Sequence, residues 1–265
     1  MIKVLFIGDV VGRLGRETVK KVLPNLRKEK EIDFVIANAE NLAHGMGVTE
    51  KTVAEMLEAG VDLLTSGNHL WDKKDYQGVL EKHPEAIIRP VNYPPEVPGK
   101  GYRICKIGGS KVLVLNLIGR VFFPDDYDCP FRKADEILEE FKNENLGGII
   151  IDFHAEATSE KNALGFYLDG KVSAVIGTHT HIPTEDYRVL PKGTAYVTDT
   201  GMTGPLDSVL GVKKEIIIKN FLTQMPQHFE VQDEGEGIFN AVYLEIDPKT
   251  KRAKKVEKIK ETVKL

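Results

Sequence analysis

The chain alternates short apolar runs with amphipathic stretches, and its first run, Ile2-Lys3-Val4-Leu5-Phe6-Ile7, is ended by Gly8-Asp9-Val10-Val11-Gly12. A run of this length closed by glycine predicts a strand, with a helix following from about Leu14. Pro24 should kink or divide that helix, because proline lacks the amide proton an interior turn requires. Phe34-Val35-Ile36-Ala37 predicts a second strand ending in Asn38-Ala39-Glu40-Asn41. Val61, Leu63 and Leu64 predict a third, ending in Ser66-Gly67-Asn68-His69. Between them Thr49 suits the N-cap of a helix reaching Ala59, with Val53, Met56 and Leu57 on one face and Gly60 as its stop. Strand–loop–helix units in succession imply right-handed crossovers and a largely parallel sheet. Asp9, Glu40, Asn41, Asn68 and His69 would then share one rim.

The middle of the chain changes character. Pro90, Pro94, Pro95 and Pro98 mark a loop before a hairpin-like pair, 102–107 and 111–117, joined at Gly108-Gly109-Ser110. Adjacent strands without an intervening helix suggest antiparallel neighbours and a mixed sheet. Phe131, Ala134, Ile137, Leu138 and Phe141 recur at helical spacing, and Gly148 to Phe153 returns as a strand that delivers His154. A helix over 159–168 leads to the run Val172, Ala174, Val175, Ile176, closed by Gly177-Thr178-His179-Thr180-His181. Residues i and i+2 of an extended chain point the same way, so His179 and His181 can present two imidazoles to one point. Imidazole is the commonest metal-binding side chain. Ala195 to Val197 is a further strand, the glycine-rich 199–205 loop returns to the same side, and Phe239, Val242, Leu244 and Ile246 mark strand-like segments before a lysine-rich end. No repeat or linker divides the chain, so a single domain over 1–265 is expected.

Composition narrows the classes. A net charge of −4 argues against a surface that coats nucleic acid, and no stable nucleic-acid partner is expected. Cys105 and Cys129 are too few for a disulfide framework and are not spaced as a thiolate metal site. Met1 leads straight into a strand, and no apolar run approaches the roughly 18 residues of a membrane span, so a cytoplasmic protein with no membrane partner is expected.

Gly8-Asp9, Gly67-Asn68-His69, His154 and Gly177-Thr178-His179-Thr180-His181 resemble, in that order, the motifs of the calcineurin-like metallophosphoesterase superfamily. Two departures sharpen the resemblance. Val11 stands where the superfamily usually has histidine, and Asn38-Ala39-Glu40-Asn41 stands where it usually supplies a bridging aspartate. With the run Thr198 to Pro205, both departures are similar to the YmdB-type branch of 2′,3′-cyclic-nucleotide phosphodiesterases, which hold a dinuclear iron or manganese centre.

The resemblance implies an α/β/β/α sandwich with mixed parallel and antiparallel sheets. It places Asp9, Glu40, Asn41 and His181 around one ion, and Asn68, His154, His179 and again Glu40 around the other. Iron or manganese would suit this donor set, and zinc is compatible. Two such ions make hydroxide available near neutral pH and hold a phosphoryl oxygen for in-line attack. His69 would protonate the departing ribose oxygen, help typically worth about 10²–10⁴ in rate. The expected substrate is a small cyclic nucleotide, the product a nucleoside monophosphate, and the assembly a homo-oligomer. Two other functions fit the same ligands: a phosphatase or phosphodiesterase of different specificity, and a metal-stabilised regulatory protein that binds RNA or a nucleotide. Asp199 is expected to orient a ligand imidazole, while Trp71 and the Phe122-Phe123 pair are read as core or interface residues before base-stacking ones.

Overall fold

The structure, a computed structural model, describes residues 1–265. In chain order it forms β1 (Ile2–Ile7), α1 (Gly12–Glu29), β2 (Phe34–Asn38), α2 (Glu50–Glu58), β3 (Leu63–Thr65), a 3-10 turn (Asn68–Trp71) and α3 (Tyr76–Lys82). Next come β4 (Tyr102–Ile107), β5 (Ser110–Ile118), α4 (Pro130–Glu140), β6 (Leu146–His154), α5 (Thr158–Leu168) and β7 (Ala174–Thr178). The chain closes with β8 (Arg188–Val189), β9 (Ala195–Val197), β10 (Gly204–Pro205), α6 (Lys214–Thr223), β11 (Glu236–Asp247) and β12 (Arg252–Lys264).

Two six-stranded sheets result, both mixed. In the first, β1, β2 and β3 are parallel, as the crossovers require. β11 runs antiparallel along the other side of β1, from Ile2 opposite Ile246 to Ile7 opposite Ala241, and β12 covers the far side of β11. The second sheet has the order β4-β5-β6-β7-β9-β8, with an antiparallel β4–β5 hairpin and parallel pairing from β5 through β9.

Period-two alternation sorts each strand's side chains into layers. Ile2, Val4, Phe6 and Ile36 meet Val112, Val114, Ile150 and Ile176 between the sheets. Leu5, Ile7 and Val35 turn outward to Val19, Leu23 and Val53 of α1 and α2. Leu113, Leu115, Ile151 and Phe153 turn outward to Ala134, Ile137 and Leu164 of α4 and α5. The expected α/β/β/α sandwich follows from these three apolar layers.

Local signals behave largely as expected. Thr49 caps α2 in a reciprocal capping box with Thr52, and Gly60, at φ +100°, ends it. Pro24 does not divide α1, which runs unbroken from Gly12 to Glu29. The buried stripe Val19, Val22, Leu23 and Leu26 continues through the proline turn. At about 1.5–3 kcal/mol per buried apolar side chain this outweighs the loss of about 3 kcal/mol for an interior proline. The lysine-rich end is itself the edge strand β12, with Ala253 and Ile259 buried and Lys254, Lys255 and Lys260 exposed. Lysines on an edge discourage further strand pairing. The unanticipated α6 buries none of its residues. No helix is long and apolar enough to cross a membrane.

Candidate active site

The carboxyl ends of five strands bring the candidate residues together. Asp9 follows β1, Glu40 and Asn41 follow β2, Asn68 and His69 follow β3, His154 ends β6, and His179 and His181 follow β7. Glu40 Oε1 lies 3.2 Å from His154 Nε2, and Glu40 Oε2 accepts the His69 backbone N–H at 2.9 Å. His154 Nε2 is also 3.2 Å from Asn68 Oδ1 and 3.0 Å from His179 Nδ1. His181 Nε2 stands 3.3 Å from Asn41 Oδ1, whose amide nitrogen donates to Gly45 O and so turns the oxygen inward. Asp9 Oδ2 accepts the His179 backbone N–H at 3.2 Å.

These contacts fit a cation better than they fit one another. Glu40 Oε1, Asn68 Oδ1 and His179 Nδ1 all crowd His154 Nε2, which can offer a single proton. Ligand atoms of Glu40, His154 and His179 lie within 4.8 Å of one another, and Asp9 Oδ1 is buried with no hydrogen-bond partner. A buried anionic oxygen without a donor is costly unless a positive charge faces it. Carboxylate, imidazole and amide oxygen without thiolate suit a hard-to-borderline ion such as iron, manganese or zinc.

The charges in this pocket are strongly coupled. Burial opposes a carboxylate at Glu40, but His154 and the His69 N–H outweigh it and hold the pKa down to about 2. Burial likewise opposes a charge on His154, yet Glu40, Asp9 and Asp152 lift it to about 9. Burial, reinforced by His154, pushes His179 down to about 2, while burial pushes Asp9 upward. Burial and the facing carboxylates thus pull these imidazoles in opposite directions.

Backbone packing fixes the ligand loops. A Cβ on Gly67 would overlap His154 Nε2 and Glu40 Oε2, so the β3 exit can approach the site only as glycine. The 199–204 loop straps the two sheets together. Thr200 N donates to Gly177 O at 2.9 Å, Met202 N to His181 O at 3.0 Å and Thr203 N to Asp9 O at 2.8 Å. His179 and His181 are held at φ +101° and +65°, a region costly for side-chain-bearing residues. Asp199 helps hold them, but not through an imidazole as expected. Its carboxylate accepts from Lys161 Nζ at 2.6 Å, Thr180 N at 3.1 Å and Gly201 N at 2.8 Å, so it braces the loop backbone.

His69 lines an open cavity of about 240 Å³ together with Glu40, Asn41, Glu156, His179 and His181. Its Nδ1 lies 2.8 Å from Asp72 Oδ2, which fixes the ring and leaves Nε2 for the cavity. Sequence reasoning missed Asp72, whose i+3 spacing from His69 becomes a contact only through the 3-10 turn it follows. It also missed Glu156, whose Oε2 is 3.1 Å from His179 Nε2. Trp71 packs edge-on against Tyr76 and Tyr93, as a core residue should, whereas Phe123 stands 4.9 Å from the His179 ring and Phe122 is exposed. A larger hollow of about 730 Å³ beside β4 and α4 contains none of the candidate residues.

Residues 5–259 match the family model described as YmdB-like protein. The chain belongs to the YmdB-like family. This YmdB-like chain is 50% identical over 257 residues to the 2′,3′-cyclic-nucleotide 2′-phosphodiesterase of Bacillus subtilis (strain 168), across 97% of this chain and 96% of that one. A hypothetical protein from Thermus thermophilus superposes with a TM-score of 0.91 at 44% identity, covering 98% of this chain and 99% of that one. A novel phosphatase from Mycoplasma pneumoniae does so with a TM-score of 0.92 at 37% identity, covering 99% and 94%. The sandwich is thus the calcineurin-like phosphoesterase fold in its YmdB-like form.

Proposed function

We propose that the chain is a metal-dependent phosphodiesterase that opens 2′,3′-cyclic nucleotides to nucleoside monophosphates. The observation that carries this reading is the crowding of Glu40 Oε1, Asn68 Oδ1 and His179 Nδ1 around His154 Nε2, beside the cavity that His69 lines. The activity for which the Bacillus subtilis relative is named supports the substrate class.

Asp9, Glu40, Asn41 and His181 would hold one cation, and Asn68, His154 and His179, with Glu40 shared, a second; iron or manganese suits both positions. When bound, the cations supply Lewis-acid activation of water and neutralise phosphoryl charge. The buried carboxylates of Asp9 and Glu40 set the charge of the site, and the Asn41 amide is pinned by Gly45 so that only its oxygen faces inward. Water oxygen bonds to phosphorus, giving up one proton to solvent, as the ester bond to a ribose oxygen breaks. His69, its ring steadied by Asp72, gives that oxygen its proton. Cleavage of the 2′ ester, as the relative's name specifies, leaves a 3′-monophosphate.

A substrate panel tests the reading. Turnover of 2′,3′-cyclic AMP is expected to exceed that of 3′,5′-cyclic AMP and of an aryl phosphomonoester; turnover of either of the latter without the first would reject it. His69→Ala should lower kcat by about 10²–10⁴ with metal content unchanged, and elemental analysis should find two equivalents per chain. The apolar layer shared by both sheets supports a single domain over 1–265. Exposed Phe221 and Leu222 on α6 support a homo-oligomer, which light scattering that finds only monomer would overturn. The two unpaired cysteines favour a reducing, cytoplasmic setting.

A further inference from the structure

Behind the candidate ligands lies a set of buried side chains with no part in the proton and water steps above. Alternation places it. On β6, Ile150 faces the layer between the sheets, so Asp152 and His154 share that face; on β7, Ile176 and Thr178 do the same, with His154 opposite Thr178 in the parallel register. From the other sheet, Ile36 and Asn38 of β2 face them. The apolar layer thus ends in Asn38, Asp152, Thr178 and His154, all fully buried.

With Asp152 ionised, their hydrogen bonds leave one consistent proton assignment. Thr178 Oγ1 donates to Asp152 Oδ1 at 2.7 Å, and His154 Nδ1 lies 3.0 Å from the same hydroxyl. Asn38 Oδ1 accepts the Glu40 backbone N–H, which turns the Asn38 amide nitrogen toward Asp152 Oδ2 at 3.1 Å. Asp152 is thereby faced by two donors and acts as acceptor. A hydroxyl has one proton. With that proton given to Asp152, Thr178 can only accept from His154, so Nδ1 must bear hydrogen, and Nε2 is the nitrogen whose lone pair a cation would take. Nε2 is the atom around which Glu40, Asn68 and His179 converge.

We propose that Thr178 and Asp152 are positioning residues that set the tautomer and ring orientation of His154, so that its Nε2 is delivered bare to the cation. The inference rests on the metal reading above and adds a role for two residues that touch neither metal nor substrate. Because the hydroxyl makes the short link between the Asp152 carboxylate and the imidazole, with the Asn38 amide nitrogen standing farther off at 3.5 Å from His154 Nδ1, its removal should act on one ion position and spare the other.

Three proteins decide it: wild type, Thr178→Val, which keeps the shape without the hydroxyl, and Thr178→Ser, which restores the hydroxyl. Chelator-competition titrations with Zn(II) and Mn(II) should show one of two equivalents weakened about 10–100-fold in Thr178→Val, the usual range for loss of such a partner. Thr178→Ser should return to within about threefold of wild type. Nitrogen-15 spectra of the zinc-loaded wild type should show His154 with hydrogen on Nδ1, a measurement that decides the tautomer even where Thr178→Val fails to fold. Hydrogen on Nε2 of His154, or unchanged affinity in Thr178→Val, overturns the inference alone. A wild type that binds no metal removes the metal reading and the inference with it.

Discussion

A methyl group at Gly67 would occupy space that His154 Nε2 and Glu40 Oε2 already fill, and neither ligand has room to retreat inside its buried surroundings. Gly67→Ala should therefore lose metal and lower kcat/KM by roughly 100-fold, the scale of a 1 Å misplacement, with an unchanged circular dichroism spectrum. Full metal content in that variant would show that the site has slack. Cys105 offers a second residue-scale check: burial pushes its thiol up to about 11, so alkylation at pH 8 should reach Cys129 but not Cys105 until the protein is unfolded. Rapid labelling of native Cys105 would contradict its buried position on β4. The candidate ligands were legible because each follows an apolar run that reads as a strand. Asp72 and Thr178 were not, since the first requires the 3-10 turn and the second requires the β6–β7 register.

The elements differ in how plainly they announce themselves. α2 carries its own start and stop, and Thr49→Ala, which removes the capping box, should cost about 1 kcal/mol and lower the melting temperature by roughly 2–4 °C without changing kcat. α6 was illegible because Ile216, Ile217 and Ile218 run consecutively and trace no single stripe at helical period. Pro24 misled in the opposite direction, since a local rule was overridden by the buried face of α1. The link from α5 to the loop after β9 is a fully buried ion pair between Lys161 and Asp199. Lys161→Met leaves that carboxylate unpaired and should cost about 3–5 kcal/mol. Denaturant titration that finds an unaltered midpoint would refute the bracing role of Asp199.

At the scale of the whole molecule, the candidate ligands divide between the sheets: Asp9, Glu40, Asn41 and Asn68 leave the first, and His154, His179 and His181 leave the second. Cations shared between them would fasten one end of the sandwich. Stripping metal with a chelator should lower the melting temperature and re-addition restore it, since a ligand at 100 times its Kd stabilises by about 2.7 kcal/mol per site. The same melting temperature before and after chelation would leave the sheets held by apolar packing alone. The parallel half of the first sheet was legible from its crossovers, whereas the return of β11 to the side of β1 was not, because nothing local in either strand names its partner. That return also bears on the protein's birth. All the candidate ligands have been translated by His181, yet β1 has no partner on one side until Ala241 to Ile246 have emerged. A nascent chain should stay inert until β11 has emerged to pair with β1.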